Sequence, residues 1–267
     1  MTAADPRAIA ALDAHLAYVE HLSLAGGAPA VRDQGVLLFS SPASLPTLVN
    51  GAARVDRAVP PGSVIQRATT FFREAGFELL CLDGRDDDLR EAAVAAGFST
   101  GSTDPLLHLD RPLAPSLPSA ASIEMRLVTD ASGVRDVASV NADAGAVYDF
   151  PPGFFTTIFA RPETVLDTKI QAVVGYEEGE PVATAQVFLH SGLAYVGWVA
   201  VARRAMRRGF GRLVTAEVVT RGFRAGARAS VLMASPMGAP LYRRMGFVDV
   251  GLLRDAYAAP ARQPSEA

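Results

Sequence analysis

VARRAMRRGFGRL, Val201 to Leu213, packs five arginines and two glycines into a short turn directly behind the apolar run LAYVGWVAV. The apolar run reads as a strand, and Phe210 to Phe223 has helical spacing at Leu213, Val214, Glu217 and Val218, so the turn joins a strand to a helix. Gly209 and Gly211 then fall at the first turn of that helix, where backbone N–H groups lack partners and point the same way. Such a turn is an anion site. Glycine lets a ligand approach the backbone, the helix dipole adds partial positive charge, and a diphosphate is a natural occupant. Arg203, Arg204, Arg207, Arg208 and Arg212 surround it with charge suited to phosphate oxygens. A solvated basic loop running into a glycine-started helix is the alternative reading of the same residues.

Two phosphate motifs do not fit. The P-loop places Lys and then Ser or Thr after its last glycine, whereas Arg212 and Leu213 follow Gly211. The dinucleotide fingerprint needs three spaced glycines inside a parallel βαβ unit, and the stretch from Met206 to Gly211 has two, behind an antiparallel pattern.

Outward from the turn, Lys169 to Tyr176, Pro181 to His190 and Leu193 to Val201 read as three strands of a meander, joined at Glu-Glu-Gly-Glu and Ser-Gly. Ahead of them, Ile123, Met125 and Leu127 alternate as in a strand, and Thr129 or Asp130 can cap a helix whose apolar face is Val134, Val137 and Val140. Behind the turn come the helix, a short strand at Ala229 to Ala234, a short helix at Ala239 to Met245 and a last strand at Phe247 to Leu252. The order is β, α, α, three strands, α, β, α, β.

The stretch RPLAPSLPSAAS has three prolines among small residues and reads as a linker. It sets boundaries of 1–111 for an N-terminal domain, 112–122 for the linker and 123–267 for a second domain. The first part holds an amphipathic helix near Pro6 to Leu24, the strand VLLFS and a helix from about Ser63 to Ala75. Its ending, Phe72 to Phe98, repeats the pattern of Phe223 to Phe247, and the interval from Gly76 to Gly97 differs by one residue from that between Gly226 and Gly246. An internal duplication follows from this reading.

At 267 residues, 49% hydrophobic, 20% charged and with a net charge of -3, the chain reads as a globular protein of two domains without general affinity for nucleic acid. The N-terminal stretch lacks the basic and apolar segments of a signal peptide, and no run approaches the roughly 18 apolar residues of a membrane span. A cytoplasmic protein is the expectation. The single cysteine, Cys81, lies in an apolar string and reads as a buried hydrophobe, unable to build an intrachain disulfide or a cysteine-based zinc site.

Val199 to Val201, MRRGFG at 206 to 211 and ASPMGAPLYRRMGF at 234 to 247 together resemble the strand, pyrophosphate loop and closing tyrosine helix of the GNAT superfamily of acyl-CoA N-acyltransferases. The resemblance covers about residues 123 to 255. It implies an α/β fold, a mixed, mostly antiparallel central sheet flanked by helices, in tandem GNAT-like domains of which the first is degenerate. The family's loop begins with Gln or Arg where this chain has Met206. Because the family's contacts come mainly from backbone N–H groups, the departure weakens the motif without removing its function.

The resemblance further implies acetyl-CoA, or another acyl-CoA, as co-substrate and no metal. Coenzyme A would be held by Val199, Ala200 and Val201, which pair with its pantetheine arm as an added strand would, by Arg207, Arg208, Gly209, Phe210, Gly211 and Arg212, and by Ser235. Tyr242 falls on the family's general acid, which protonates the leaving thiolate. In the first half Ala93 takes its place, and no paired glycines precede the helix from Ser63. That half would wall the acceptor cleft or support the catalytic one.

The general base is open. The strand LAYVGWVAV carries no acid, Asp143, Asp149 and Glu217 are candidates that also read as surface acids, and the amine could arrive neutral. Tyr148, Phe150, Phe154 and Phe155 read either as acceptor-pocket lining or as core, and His190 as exposed. The expected reaction is acetyl transfer to a small-molecule primary amine by direct attack in a ternary complex, since no nucleophilic cysteine is evident. Neither nucleic acid nor membrane is an expected partner, and a homodimer is left open. A coenzyme A-binding sensor without turnover is the second reading, supported by Met206 and the missing strand carboxylate.

Overall fold

Asp5 opens the first helix, α1 (Pro6–Ala25), by accepting a hydrogen bond from the Arg7 amide at 2.8 Å, and Pro6 occupies a position whose N–H would be idle. The computed structural model describes residues 3–41, 50–113, 123–146, 150 and 153–259. After α1 come β1 (Ala30–Asp33), β2 (Val36–Phe39), β3 (Gly51–Arg54), α2 (Pro61–Phe72), β4 (Phe77–Leu80), α3 (Asp87–Ala95) and β5 (Ser99–Leu109). The second half runs β6 (Glu124–Leu127), α4 (Ala131–Gly145), α5 (Phe154–Ile158), β7 (Ile170–Glu177), β8 (Glu180–His190) and β9 (Leu193–Val201). It continues through α6 (Phe210–Arg224), β10 (Ala229–Met233), α7 (Ala239–Arg244) and β11 (Val248–Ala258).

The strands join one mixed sheet in the order β1-β2-β3-β4-β11-β5-β10-β9-β8-β7-β6. Among the described residues, only β3 with β4 and β9 with β10 run parallel. The order carries a reciprocal exchange. β5, the last strand of the first half, lies between β10 and β11, while β11, the last strand of the second half, lies between β4 and β5. Each half thus completes the other's sheet, and the sequence boundary at 112–122 separates segments whose strands interlock. Residues 114–122 of that linker lie outside the described residues.

Strand parity sorts the side chains onto two faces. On one face α1 lays Leu12, Leu16 and Tyr18 over Leu37, Phe39, Leu80, Leu106, Tyr195, Val231 and Leu253, which belong to strands of both halves. Beside it α4 and α5 cover Ala172, Val174 and Tyr176 of β7. On the other face α6 and α7 cover the second half, and α2 and α3 cover the first, with Val64, Ala68, Leu89 and Ala93 against Val36, Leu38, Phe77 and Leu79.

Several elements differ from the sequence expectation, and β1 and β3 are strands that were not expected. β11 extends to Ala258 instead of ending at Leu252, because Leu252–Tyr257 pairs with β5 and Ala256–Ala258 with β4. β5 was not expected as a strand. The helix expected from Ser63 to Ala75 starts earlier, at Pro61, and stops at Phe72, where Arg73 turns left-handed (φ 53°) and its amide closes on the Thr69 carbonyl. The repeated endings superpose in kind: Gly97 and Gly246 both leave their helix left-handed, at φ 92° and 100°.

Candidate active site

β9 and β10 run side by side only from Leu193–Ala229 to Tyr195–Val231, and beyond that point they fork. The cause lies on β9. Gln186 pairs with Gly197 but Thr184 with Ala200, so β9 holds one residue more than its β8 partner. Trp198 absorbs the bulge in the left-handed region, at φ 49°. The extra residue inverts the strand's parity: Leu193 and Tyr195 face α1, whereas Val199 and Val201 pack with the α6 cluster and Ala200 turns toward α4. Among the described residues, the β10-side edge of Gly197 to Val201 has no strand partner.

The arginine turn sits at the mouth of this fork. Arg207 adopts φ 60° and Gly209, which caps α6, φ 90°. A Cβ built on Gly209 would meet nothing within 4 Å, so the turn is open above it. Helical bonding begins only with the amides of Arg212 and Leu213, which both donate to the Gly209 carbonyl. Among the described residues no hydrogen bond is donated by the amides of Arg207, Arg208, Gly209, Phe210 or Gly211. Gly211 packs closely, its would-be Cβ 3.4 Å from Val201 and 3.6 Å from Leu241.

The arginines divide by partner. Arg203 is held by Asp143, which accepts from its amide at 2.6 Å and its Nε at 3.1 Å. Arg208 forms a bidentate pair with Glu177 and lies over the Phe210 ring at 4.8 Å. Arg207 and Arg212 have no carboxylate partner among the described residues, and Arg212 Nε is buried without a hydrogen bond. Arg204 donates to the Pro181 carbonyl, and charge for an anion is left on Arg207 and Arg212 to either side of the glycines.

On the far side of the fork, Ser235 lies two residues past the end of β10 and accepts the Gly238 amide on its hydroxyl at 3.2 Å, shaping the turn into α7. Tyr242 of α7 is 9% exposed and edge-on to Phe247 at 6.0 Å. Its counterpart Ala93 is fully buried under the first half of the sheet. The fork therefore brings Val199–Val201, the 207–212 turn, Ser235 and Tyr242 to one end of the sheet.

Across the sheet, facing α1, a cavity of about 160 Å³ opens at the fork. His15, Tyr18, Tyr195, Gly197, Trp198 and Met233 are among its walls. His15 Nδ1 lies 2.8 Å from the Tyr195 hydroxyl, and Tyr18 meets Gln186 Nε2. Burial drives the His15 imidazole down to about 4, so it is neutral near pH 7, and holds the Tyr18 and Tyr195 phenols well above their usual range. His15 and Tyr18 were not picked out in the sequence. The signal available was polar side chains on the apolar stripe of Ala8, Ala11, Leu12, Val19 and Leu22.

The base candidates are occupied elsewhere. Asp143 is tied to Arg203, and Glu217 pairs with Arg221 at 2.8 Å along α6. Asp149 and Tyr148 lie outside the described residues. Phe150 stacks on Phe154 at 5.0 Å, and Phe155 meets Trp198 edge-on at 5.8 Å, so these rings form packing behind Trp198 while Ile158 reaches the cavity. His190 is bound to Asp13 of α1 at 3.0 Å.

Residues 142–247 match the profile of the acetyltransferase (GNAT) family. Comparison with curated proteins yields no match. Among solved structures, the chain is similar to a GCN5-related N-acetyltransferase from Kribbella flavida, with a TM-score of 0.65 and 19% identity over 96% of both chains. It is similar to another from Sphaerobacter thermophilus, with a TM-score of 0.63 and 16% identity over 95% of both. It also resembles a tandem GNAT protein from the clavulanic acid biosynthesis pathway, at 0.58 and 14% over 98% of both. These likenesses establish a shared fold across nearly the whole length. The chain thus has the tandem GNAT fold, and its residues 142–247 match the acetyltransferase (GNAT) family profile.

Proposed function

We propose that the protein is an acyl-CoA-dependent N-acyltransferase that moves an acetyl group from acetyl-CoA to a primary amine by direct attack in a ternary complex. The observation that carries this reading is the β9–β10 fork, which opens onto a turn with five undonated amides. The free edge of Val199–Val201 offers a pantetheine arm the hydrogen bonds of a missing strand. The amides of Arg207 to Gly211, with the unpaired charges of Arg207 and Arg212, suit a pyrophosphate. Ser235 extends the same binding surface just past the end of β10.

In this reading the bulge at Trp198 turns an amide out of the β8 ladder toward the thioester carbonyl, where a hydrogen bond strengthens as charge develops. Tyr242 gives its proton to the departing thiolate. The acceptor enters from the α1 face, in the cavity walled by Tyr18, Tyr195 and Trp198. With the His15 imidazole so weakly basic and with Asp143 and Glu217 paired to arginines, the amine attacks as the neutral species and its proton passes to water. A coenzyme A-binding sensor is the second reading, favoured by the engagement of Asp143 and Glu217. A panel of amines with acetyl-CoA, followed by free-thiol release, separates the two: amine-dependent release supports transfer, and binding of acetyl-CoA without release by any amine supports the sensor.

A further inference from the structure

Next to the acceptor cavity lies a second one, of about 410 Å³, at the place where the halves exchange strands. The two share His15, Phe39 and Met233, so they meet at the fork. The second cavity is acidic. Glu78 comes from β4, Asp104 from β5 and Asp255 from β11, and among its described lining residues there is no arginine or lysine. His15 and Tyr257 complete its titratable wall.

The carboxylates are short of protons. Ser102 Oγ lies 2.5 Å from Asp104 Oδ2 and 2.9 Å from Asp255 Oδ2, yet a hydroxyl has one proton to donate. Asp255 is 3% exposed, and its carboxyl also shares a hydrogen bond with Glu78 of the neighbouring strand. Even so its Oδ1 is buried with no hydrogen-bond partner among the described residues. Leaving a buried carboxylate oxygen unmatched is costly, and a cation or a captured proton relieves it. Burial pushes Asp255 up to about 7 and Asp104 upward, so each keeps a proton more readily than an exposed acid, and a cation placed beside them would favour the charged form again.

We propose that this cavity is a subsite for a second ammonium group of the acceptor, so that the preferred acceptors are diamines or polyamines. The proposal rests on the acyltransferase reading and names its substrate class. One amine is presented at the fork, beside Tyr195 and Trp198, while the distal ammonium passes Met233 and is held by Asp255 and Asp104. A molecule with an attacking amine at one end and an ammonium at the other spans both cavities.

Calorimetry of the full chain with coenzyme A present, using putrescine, spermidine and butylamine as probes, tests this independently of turnover. The wild type should bind putrescine or spermidine about 10-fold to 100-fold more tightly than butylamine, the effect of a charge-assisted buried hydrogen bond. Asp255→Asn should erase most of that preference while leaving coenzyme A affinity unchanged, and Asp104→Asn, measured as a second variant, should reduce it. Equal affinity for the three probes, no binding of any, or a preference that persists in both variants overturns the proposal. Thiol release is scored separately. If diamine preference is present but no amine releases thiol, the acyltransferase reading falls while the cation subsite stands.

Discussion

Gly209 and Gly211 sit two residues apart in the same turn and should respond oppositely to added side chains. Gly209 has φ 90° with nothing within 4 Å of a built Cβ, so a valine there clashes with no neighbour and pays only for backbone strain, about 1–3 kcal/mol. At about 2–4 °C per kcal/mol that lowers the melting temperature by roughly 3–10 °C. The larger effect falls on the ligand. The isopropyl group fills the open space above the undonated amides, and the loss of two charge-assisted hydrogen bonds, about 3 kcal/mol in all, weakens acetyl-CoA binding by about 100-fold. Gly211 lies inside α6 and is not among the left-handed glycines. Its added methyl would touch Val201 at 3.4 Å and Leu241 at 3.6 Å, ordinary contacts, and would gain up to about 1 kcal/mol of helix propensity. Gly211→Ala should therefore bind acetyl-CoA within about 3-fold of wild type, since 1.4 kcal/mol is needed for a tenfold change. Calorimetry with acetyl-CoA, paired with thermal melts of both variants, checks the contrast. Wild-type affinity in a folded Gly209→Val protein, or equal losses in both variants, would refute the assignment of the turn as the anion site.

Tyr242→Phe keeps the ring that meets Phe247 at 6.0 Å and removes only the proton donor. Turnover should fall by about 100-fold, the low end for a positioned acid, with acetyl-CoA affinity little changed; unchanged turnover while chemistry limits the rate makes the tyrosine a scaffold residue. A methyl at Gly222 would overlap Ala194 Cβ, where α6 docks on β9. Gly222→Ala should lower the melting temperature despite the better helix former, because overpacking costs about 1–3 kcal/mol, and a raised melting point would show that the helix yields. Between about pH 4 and pH 6.5 the folded chain keeps a proton on Asp255 that the unfolded chain has lost, and lacks one on His15 that the unfolded chain binds. The Asp255 contribution is lost as pH rises toward about 7, the His15 contribution as pH falls, and the two slopes oppose. Asp255→Asn should therefore gain stability relative to wild type by about 1 kcal/mol per pH unit across that window, read from denaturant midpoints; a difference independent of pH contradicts the buried acid.

What was legible in the sequence is local. The strand ending at Val201, the glycine-started helix, and the short helix carrying Tyr242 each declare themselves within a dozen residues, because left-handed glycines and apolar spacing act at short range. The bulge at Trp198 left no mark, since a parity change needs the partner strand to be seen. β5 hid because its first residues are polar and Pro105 interrupts them. Those polar residues, Ser102 and Asp104, line the acidic cavity, and Pro105 still serves the sheet through its carbonyl, which accepts the Ala234 amide at 3.0 Å. The strand exchange and the placing of α1 over the second half are long-range facts. They explain why the N-terminal half, read as a wall or support, also supplies His15, Tyr18 and Glu78 to the cavities.

A structure of the chain with acetyl-CoA bound tests the central claim most directly. The account predicts the pyrophosphate on the amides of Arg207 to Gly211, the pantetheine arm along the free edge of Val199–Val201, and the thioester between the Trp198 bulge and Tyr242. Acetyl-CoA bound anywhere else, with the β9–β10 fork empty and the 207–211 amides facing solvent, would contradict it.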